Sequence, residues 1–145
     1  MKDKIIVIKR NVKAPVEKAW EAWTVPLHMK EWFSPESLTT MEVKADVCVG
    51  GEHMVRMRRF FDTGLKEYFV NTGVYKAVYP MRLLVFTWQW ENDPVVSEVS
   101  VELHRISDRQ TEVVLTHVFP DEKAVGMHSK GWESTLNKLQ KYLHR

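Results

Sequence analysis

The feature that most constrains this chain is one long apolar stripe near its end. After Pro120, with Asp121 placed to cap a helix, Val125, His128, Trp132, Thr135, Leu136, Leu139 and Leu143 recur at helical spacing and share one face. Such a face needs another apolar surface to cover it, and no other helical segment in the sequence is long enough to do so. Its partner has to be a sheet, and Gly131 beside Trp132 is expected to allow close approach to it.

The strands of that sheet are legible upstream. Lys4–Asn11 is a β-branched run in which Ile6 and Ile8 alternate with Val7 and Lys9, and Ala14-Pro15 ends it. Six further segments follow: Ser37–Val47, Glu52–Phe61, Glu67–Val78, Leu83–Trp90, Val95–Ile106 and Thr111–Phe119. The turn formers Gly50-Gly51, Asp62-Thr63-Gly64, Pro80, Asn92-Asp93-Pro94 and Ser107-Asp108-Arg109 separate them. Gly73, inside the longest segment, predicts a bulge or a close backbone approach. Period two in the last three strands proposes an inward set of Phe86, Trp88 and Trp90, then Val99, Val101 and Leu103, then Val113, Leu115, His117 and Phe119.

Between the first two strands, Val16, Ala19, Trp20 and Trp23 fall on one helical face. Pro26 breaks that helix, and Leu27–Phe33 is expected to add a second short one. The element order is therefore β, two short α, six β and one long α, an α+β chain. No repeat, linker or low-complexity stretch divides residues 1–145, so a single domain is expected.

Composition excludes several function classes. Hydrophobic residues at 44% and charged residues at 28% lie far from the signature of disorder. The 21 Lys and Arg against 19 Asp and Glu leave only +2, without a basic run, which argues against nucleic acid. Arg56, Arg58 and Arg59 interleave with Met54 and Met57 and read as the solvent face of a strand. Cys48 is the lone cysteine, and MKDKIIVIKR holds no apolar segment of signal or membrane-span length, so a cytoplasmic protein without a membrane span is expected. Six Trp, six Phe, four Tyr and seven Met supply large side chains that line pockets as readily as they fill cores.

The common catalytic signatures are absent: no nucleophile elbow, phosphate loop, zinc-protease His pair or dinucleotide fingerprint occurs. The six histidines sit on different elements without ligand spacing, so neither a metal nor a cofactor is expected.

The segments Ala14-Pro15 through Thr24, Trp32-Phe33, Gly50-Gly51, Gly73-Val74-Tyr75, Leu84 through Trp88, Thr116-His117 and Gly131-Trp132 together resemble the START-like helix-grip superfamily, also called SRPBCC or Bet v-like. Within it they are most similar to the branch of the heat-shock ATPase activator homologue C-terminal domain. The resemblance implies a seven-stranded curved antiparallel sheet gripping the last helix, two small helices closing one end, and a cavity between. Carried over by position, it implies a lining of Trp32 and Phe33, Val55 and Met57, Tyr75, Phe86 and Trp88. From the later elements it adds Val101, Leu115 and His117, then Trp132 and Leu136. One departure is His53, where the family pattern has an aromatic residue; it places a titratable group at the cavity wall.

Three function classes follow. The first is binding of an apolar or lipid-like small molecule by the cavity. The second is cofactor-free catalysis of the polyketide cyclase or hydratase type, with His117 as the central group, His128 facing it and Tyr75 adding a phenol. The third is interaction with a chaperone ATPase, although the activators resembled also use a further N-terminal domain for which 145 residues leave no room. Trp32 and Phe33, beside Ser34-Pro35, are expected to form a mobile lid. A homodimer through an edge strand, Lys4–Asn11 or Ser37–Val47, stays open.

Overall fold

A computed structural model describes residues 4–61, 63–121 and 125–144. The strands are β1 (Ile5–Val12), β2 (Thr39–Ala45), β3 (Glu52–Phe60), β4 (Lys66–Tyr79), β5 (Leu83–Trp90), β6 (Ser97–Ser107) and β7 (Gln110–Val118). The helices are α1 (Val16–Thr24), α2 (Pro26–Met29) and α3 (Val125–Leu143). All seven strands form one antiparallel sheet in the order β1-β7-β6-β5-β4-β3-β2. The expected helix start after Pro120 falls on residues 122–124, which lie outside the described residues, as does Asp62 of the expected turn.

Period two explains which face is inward. Ile6, Ile8 and Val12 of β1 are buried while Ile5 and Val7 are exposed, and Val99, Val101, Leu103, Val113, Leu115 and His117 are buried as their alternation predicts. Register shifts at Thr40/Glu42, Tyr75/Ala77 and Arg105/Ser107 mark bulges, which bend strands and let a sheet curve around a helix. α3 lies in the concave face with Trp132, Leu136 and Leu139 buried. Its C-terminal half is tied down, because Gln140 Nε2 donates to the Asn11 carbonyl and the Lys13 amide donates to His144 Nε2.

Two glycine expectations resolve differently. Gly73 is a site of close approach: a Cβ there would stand 1.9 Å from the Thr87 carbonyl oxygen and 2.3 Å from His53 Nε2. The ladder opens at this point, where His53 Nε2 donates to the Thr87 carbonyl at 2.9 Å and the Val74 amide turns to Thr87 Oγ1 at 2.8 Å. The bulge lies three residues on, beyond Tyr75. Gly131 is not a close approach, since a Cβ there would meet nothing nearer than Pro35 Cβ at 3.9 Å.

Helix α2 is shorter than expected and stops at Met29, leaving Trp32 and Phe33 in the turn that follows. Neither stands exposed at the loop edge where the expected lid would place it. Trp32 is 1% exposed, donates its indole N–H to the Ala22 carbonyl, and packs edge-on against Trp23 and Phe33. Aromatic packing of this kind holds both rings in the buried interior.

Candidate functional site

The segment after α2, the adjoining inner faces of β3, β4 and β5, and the N-terminal half of α3 enclose a cavity of about 920 Å³. Its apolar wall is Phe33, Leu38, Met57, Phe69, Trp88, Trp90 and Trp132. Exposed Glu36, Ser37, Asp93 and Lys130 stand at its rim, so the space communicates with solvent. The wall is a connected aromatic surface: ring centroids lie 5.0 Å apart for Trp88 and Trp132, 5.9 Å for Phe33 and Trp132, and 5.5 Å for Trp88 and Trp90.

One rim segment is held by a single cation. Lys138 Nζ donates to Ser34 Oγ at 3.1 Å and to the Pro35 and Leu38 carbonyls at 3.0 Å each. Burial lowers the Lys138 pKa, the nearby Glu36 charge opposing that shift. A lysine on the border between an apolar stripe and the solvent face ordinarily reads as a snorkelling residue, so nothing in the sequence separates this clamp from that default.

The sequence-derived site residues divide into two groups. Phe33, Met57, Trp88, His128 and Trp132 line the cavity. Trp32, Val55, Phe86, Val101, Leu115 and Leu136 are buried side chains of the packed core and are not part of its lining. His53 and Tyr75 pack together with Phe86, at centroid separations of 5.6 Å and 5.1 Å from His53, also away from the lining. Burial lowers the His53 pKa and raises that of the Tyr75 phenol.

His117 is fully enclosed and fully bonded. Trp132 Nε1–H donates to its Nδ1 at 2.8 Å, which fixes the proton of the neutral ring on Nε2, where it points at Ser97 Oγ at 2.7 Å. Ser97 Oγ–H in turn donates to the Trp88 carbonyl at 3.3 Å. Burial, with the neighbouring His128, brings the His117 pKa down to about 3. The expected trio is therefore not assembled: His128 approaches His117 at 5.5 Å between centroids, but Tyr75 sits in the separate His53 cluster. Both ring nitrogens of His117 are committed, so it has no free position from which to exchange a proton with a bound molecule.

Leu38, Phe69 and Trp90 are lining residues absent from the family-derived set. Trp90 was already inward by period two, and the same alternation extended back from Tyr75 and Asn71 reaches Phe69. Among the described residues, no His, Cys, Asp and Glu side chains gather into a candidate metal site, and no helix is long and apolar enough to cross a membrane.

A family model described as Activator of Hsp90 ATPase homolog 1-like protein matches residues 13–144. No curated protein matches the chain. Among solved structures, CalU16 from Micromonospora echinospora is 27% identical with a TM-score of 0.74, over 96% of this chain and 75% of CalU16. A protein from Chromobacterium violaceum is 22% identical with a TM-score of 0.82, over 98% of both chains. DynU16, from the dynemicin biosynthetic locus, is 22% identical with a TM-score of 0.78, over 99% of this chain and 48% of DynU16. At 22% identity the latter two likenesses are likenesses of fold.

Proposed function

The chain belongs to the Activator of Hsp90 ATPase homolog 1-like family, and we propose that it binds an apolar or lipid-like small molecule in the space between sheet and last helix. The observation that carries this reading is the 920 Å³ cavity walled by seven large apolar side chains. That volume lies within the range of small-molecule sites, and aromatic walls with a few polar groups at the edge are their usual composition. The closed network around His117 supports binding over acid–base catalysis, because the buried imidazole is already saturated.

A second reading, cofactor-free catalysis, rests on His128. It lines the cavity on α3, and its Nε2 accepts from Trp90 Nε1–H at 3.2 Å. Under this reading the group that would exchange a proton is His128, with the His117 ring packed edge-on at 5.5 Å between centroids.

Gly131 provides the test, because it lines the cavity and has space around its missing Cβ. Calorimetric titration with 2-methylnaphthalene should give saturable binding to the unaltered protein and to Gly131→Ala. Gly131→Leu, which grows into the cavity, should weaken it at least about tenfold, a difference of about 1.4 kcal/mol. Equal binding by all three proteins, or by none, contradicts the proposal.

A further inference from the structure

Strand alternation carries an arginine onto the concave face of β3. Val55 and Met57 are buried on that face at 0% and 1% exposure, and β3 pairs with β4 without a register shift, so Arg59 follows them in the same row. Arg56 and Arg58 alternate to the outer face, but Arg59 departs from the solvent face that the sequence suggested for all three and lines the cavity. Its guanidinium carbon lies 5.5 Å from the ring centroid of Phe69, a wall residue, and 6.0 Å from that of Phe61. The side chain is 42% exposed, so the cation stands at the mouth, with water on one side and the apolar wall on the other.

Among the described residues, none accepts a hydrogen bond from this guanidinium. Its cross-strand neighbour Glu67 comes no nearer than 3.9 Å, too far for one. The acids of the rim are engaged elsewhere: Glu36 acts on the Lys138 charge, and Asp93 Oδ1 accepts from the Val95 amide. His128 Nε2 is taken by Trp90 Nε1–H. Lys130, fully exposed on α3, is the other cation of the lining. We propose that Arg59 is the head-group site of the cavity: it pairs with a carboxylate at the outer end of a ligand whose apolar body fills the aromatic interior. This rests on the small-molecule reading above and specifies the ligand class.

The position of the cation sets that class. A carboxylate deep among the aromatic rings would lose its hydration without a counter-charge, whereas at Arg59 it keeps water on one side and gains charge-assisted hydrogen bonds on the other. The planar guanidinium fork matches the two oxygens of a carboxylate. Glu67 stands close enough to oppose a second negative charge, so a singly charged head fits better than a dianionic phosphate. A cationic head would face Arg59 and Lys130 and is disfavoured. The ligand is therefore a monocarboxylate amphiphile, apolar end inward.

The test compares decanoate, 1-decanol and decylammonium, which share one chain and differ in head charge, by calorimetric titration at neutral pH. Transfer from water alone favours the alcohol over the two ions. The head-group site predicts that the unaltered protein binds decanoate at least as tightly as 1-decanol, and decylammonium most weakly. Arg59→Met keeps an unbranched apolar stem over Phe69 but loses the charge; it should weaken decanoate about tenfold and change 1-decanol by less than about twofold. Arg59→Lys keeps the charge without the fork and should retain part of the preference. Glu67→Gln leaves Arg59 in place and removes the competing carboxylate, so it should tighten decanoate about threefold, a gain that a misfolded variant cannot mimic. Equal losses of decanoate and 1-decanol in Arg59→Met identify the arginine as a cover for Phe69 and overturn the head-group site. Unchanged decanoate affinity in that variant also overturns it, and in both cases the cavity reading stands. Binding of 2-methylnaphthalene but of none of the decyl compounds likewise overturns the carboxylate class alone. Failure of the unaltered protein to bind any of the four compounds rejects the cavity reading and the head-group site together.

Discussion

Two buried polar groups on the concave face of the sheet have opposite surroundings. His117, on β7, has both ring nitrogens engaged, by Trp132 and by Ser97. Asn71, on β4, has neither end of its amide engaged by protein. A polar side chain inside a core is tolerated when its bonds are complete, so His117 belongs to the scaffold. An incomplete one weakens the fold, and Asn71 lies enclosed in the core, next to Phe69 and Trp90 of the cavity wall but not itself part of the lining. Replacing each by an apolar residue of similar size should therefore change stability in opposite directions.

The largest effect is expected at His117. His117→Leu leaves the Trp132 indole N–H and the Ser97 hydroxyl without their partner in the core and should lower unfolding free energy by about 3 kcal/mol, read from urea denaturation. A neutral or stabilising result would place His117 on the same footing as Asn71 and remove the contrast.

Acid provides the next largest effect. Folded His117 has a pKa of about 3 against its ordinary 6.5, so between those values the unfolded chain binds a proton that the folded chain refuses. Stability should fall as pH drops below about 6.5, by about 1.4 kcal/mol for each pH unit, down to the folded value. Between pH 6.5 and 5 that is a loss of about 2 kcal/mol, and His117→Leu should lose that part of the slope. His53, whose pKa is also lowered by burial, acts in the same direction and remains in the variant. Identical slopes in the two proteins would show that the His117 network does not exclude the proton.

Smaller effects probe the cavity side. Asn71→Val, closer to asparagine in volume than leucine is and a strand former, should raise unfolding free energy by about 1 kcal/mol, the reverse of His117→Leu. Lys138→Met removes the three bonds that hold Ser34, Pro35 and Leu38 to α3. It should destabilise by about 1 kcal/mol and speed ligand exchange, as measured by NMR line broadening. Gly131→Ala should stabilise α3 by about 0.5–1 kcal/mol, because the position has space for a methyl group and glycine disfavours helix. Destabilisation there would mean that Pro35 packs more tightly on the helix than its 3.9 Å separation indicates.

The fold was legible because its two periodicities are clean: an apolar stripe at helical spacing that no other helix can cover, and alternating strands such as Val99-Val101-Leu103 that supply the cover. The cavity was less so. Period two tells inward from outward, but not which inward residues the helix covers and which it leaves facing open space. Val101 and Leu115 are as inward as Met57, yet only Met57 reaches the cavity. The bulge after Tyr75 has no glycine to announce it, while Gly73, which does stand out, serves the His53 contact. The Lys138 clamp joins positions about a hundred residues apart and leaves no local pattern. Asn71 was readable as a polar residue in a strand, but only the register, with Val55 and Trp90 opposite it, turns it to the inner face.

The central claim, that the cavity holds an apolar molecule, is tested most directly by native mass spectrometry of freshly purified protein, followed by denaturing extraction of whatever is released. A stoichiometric compound, apolar over most of its surface, is the result expected. Protein at its bare mass, together with no saturable binding of 2-methylnaphthalene, would contradict the claim.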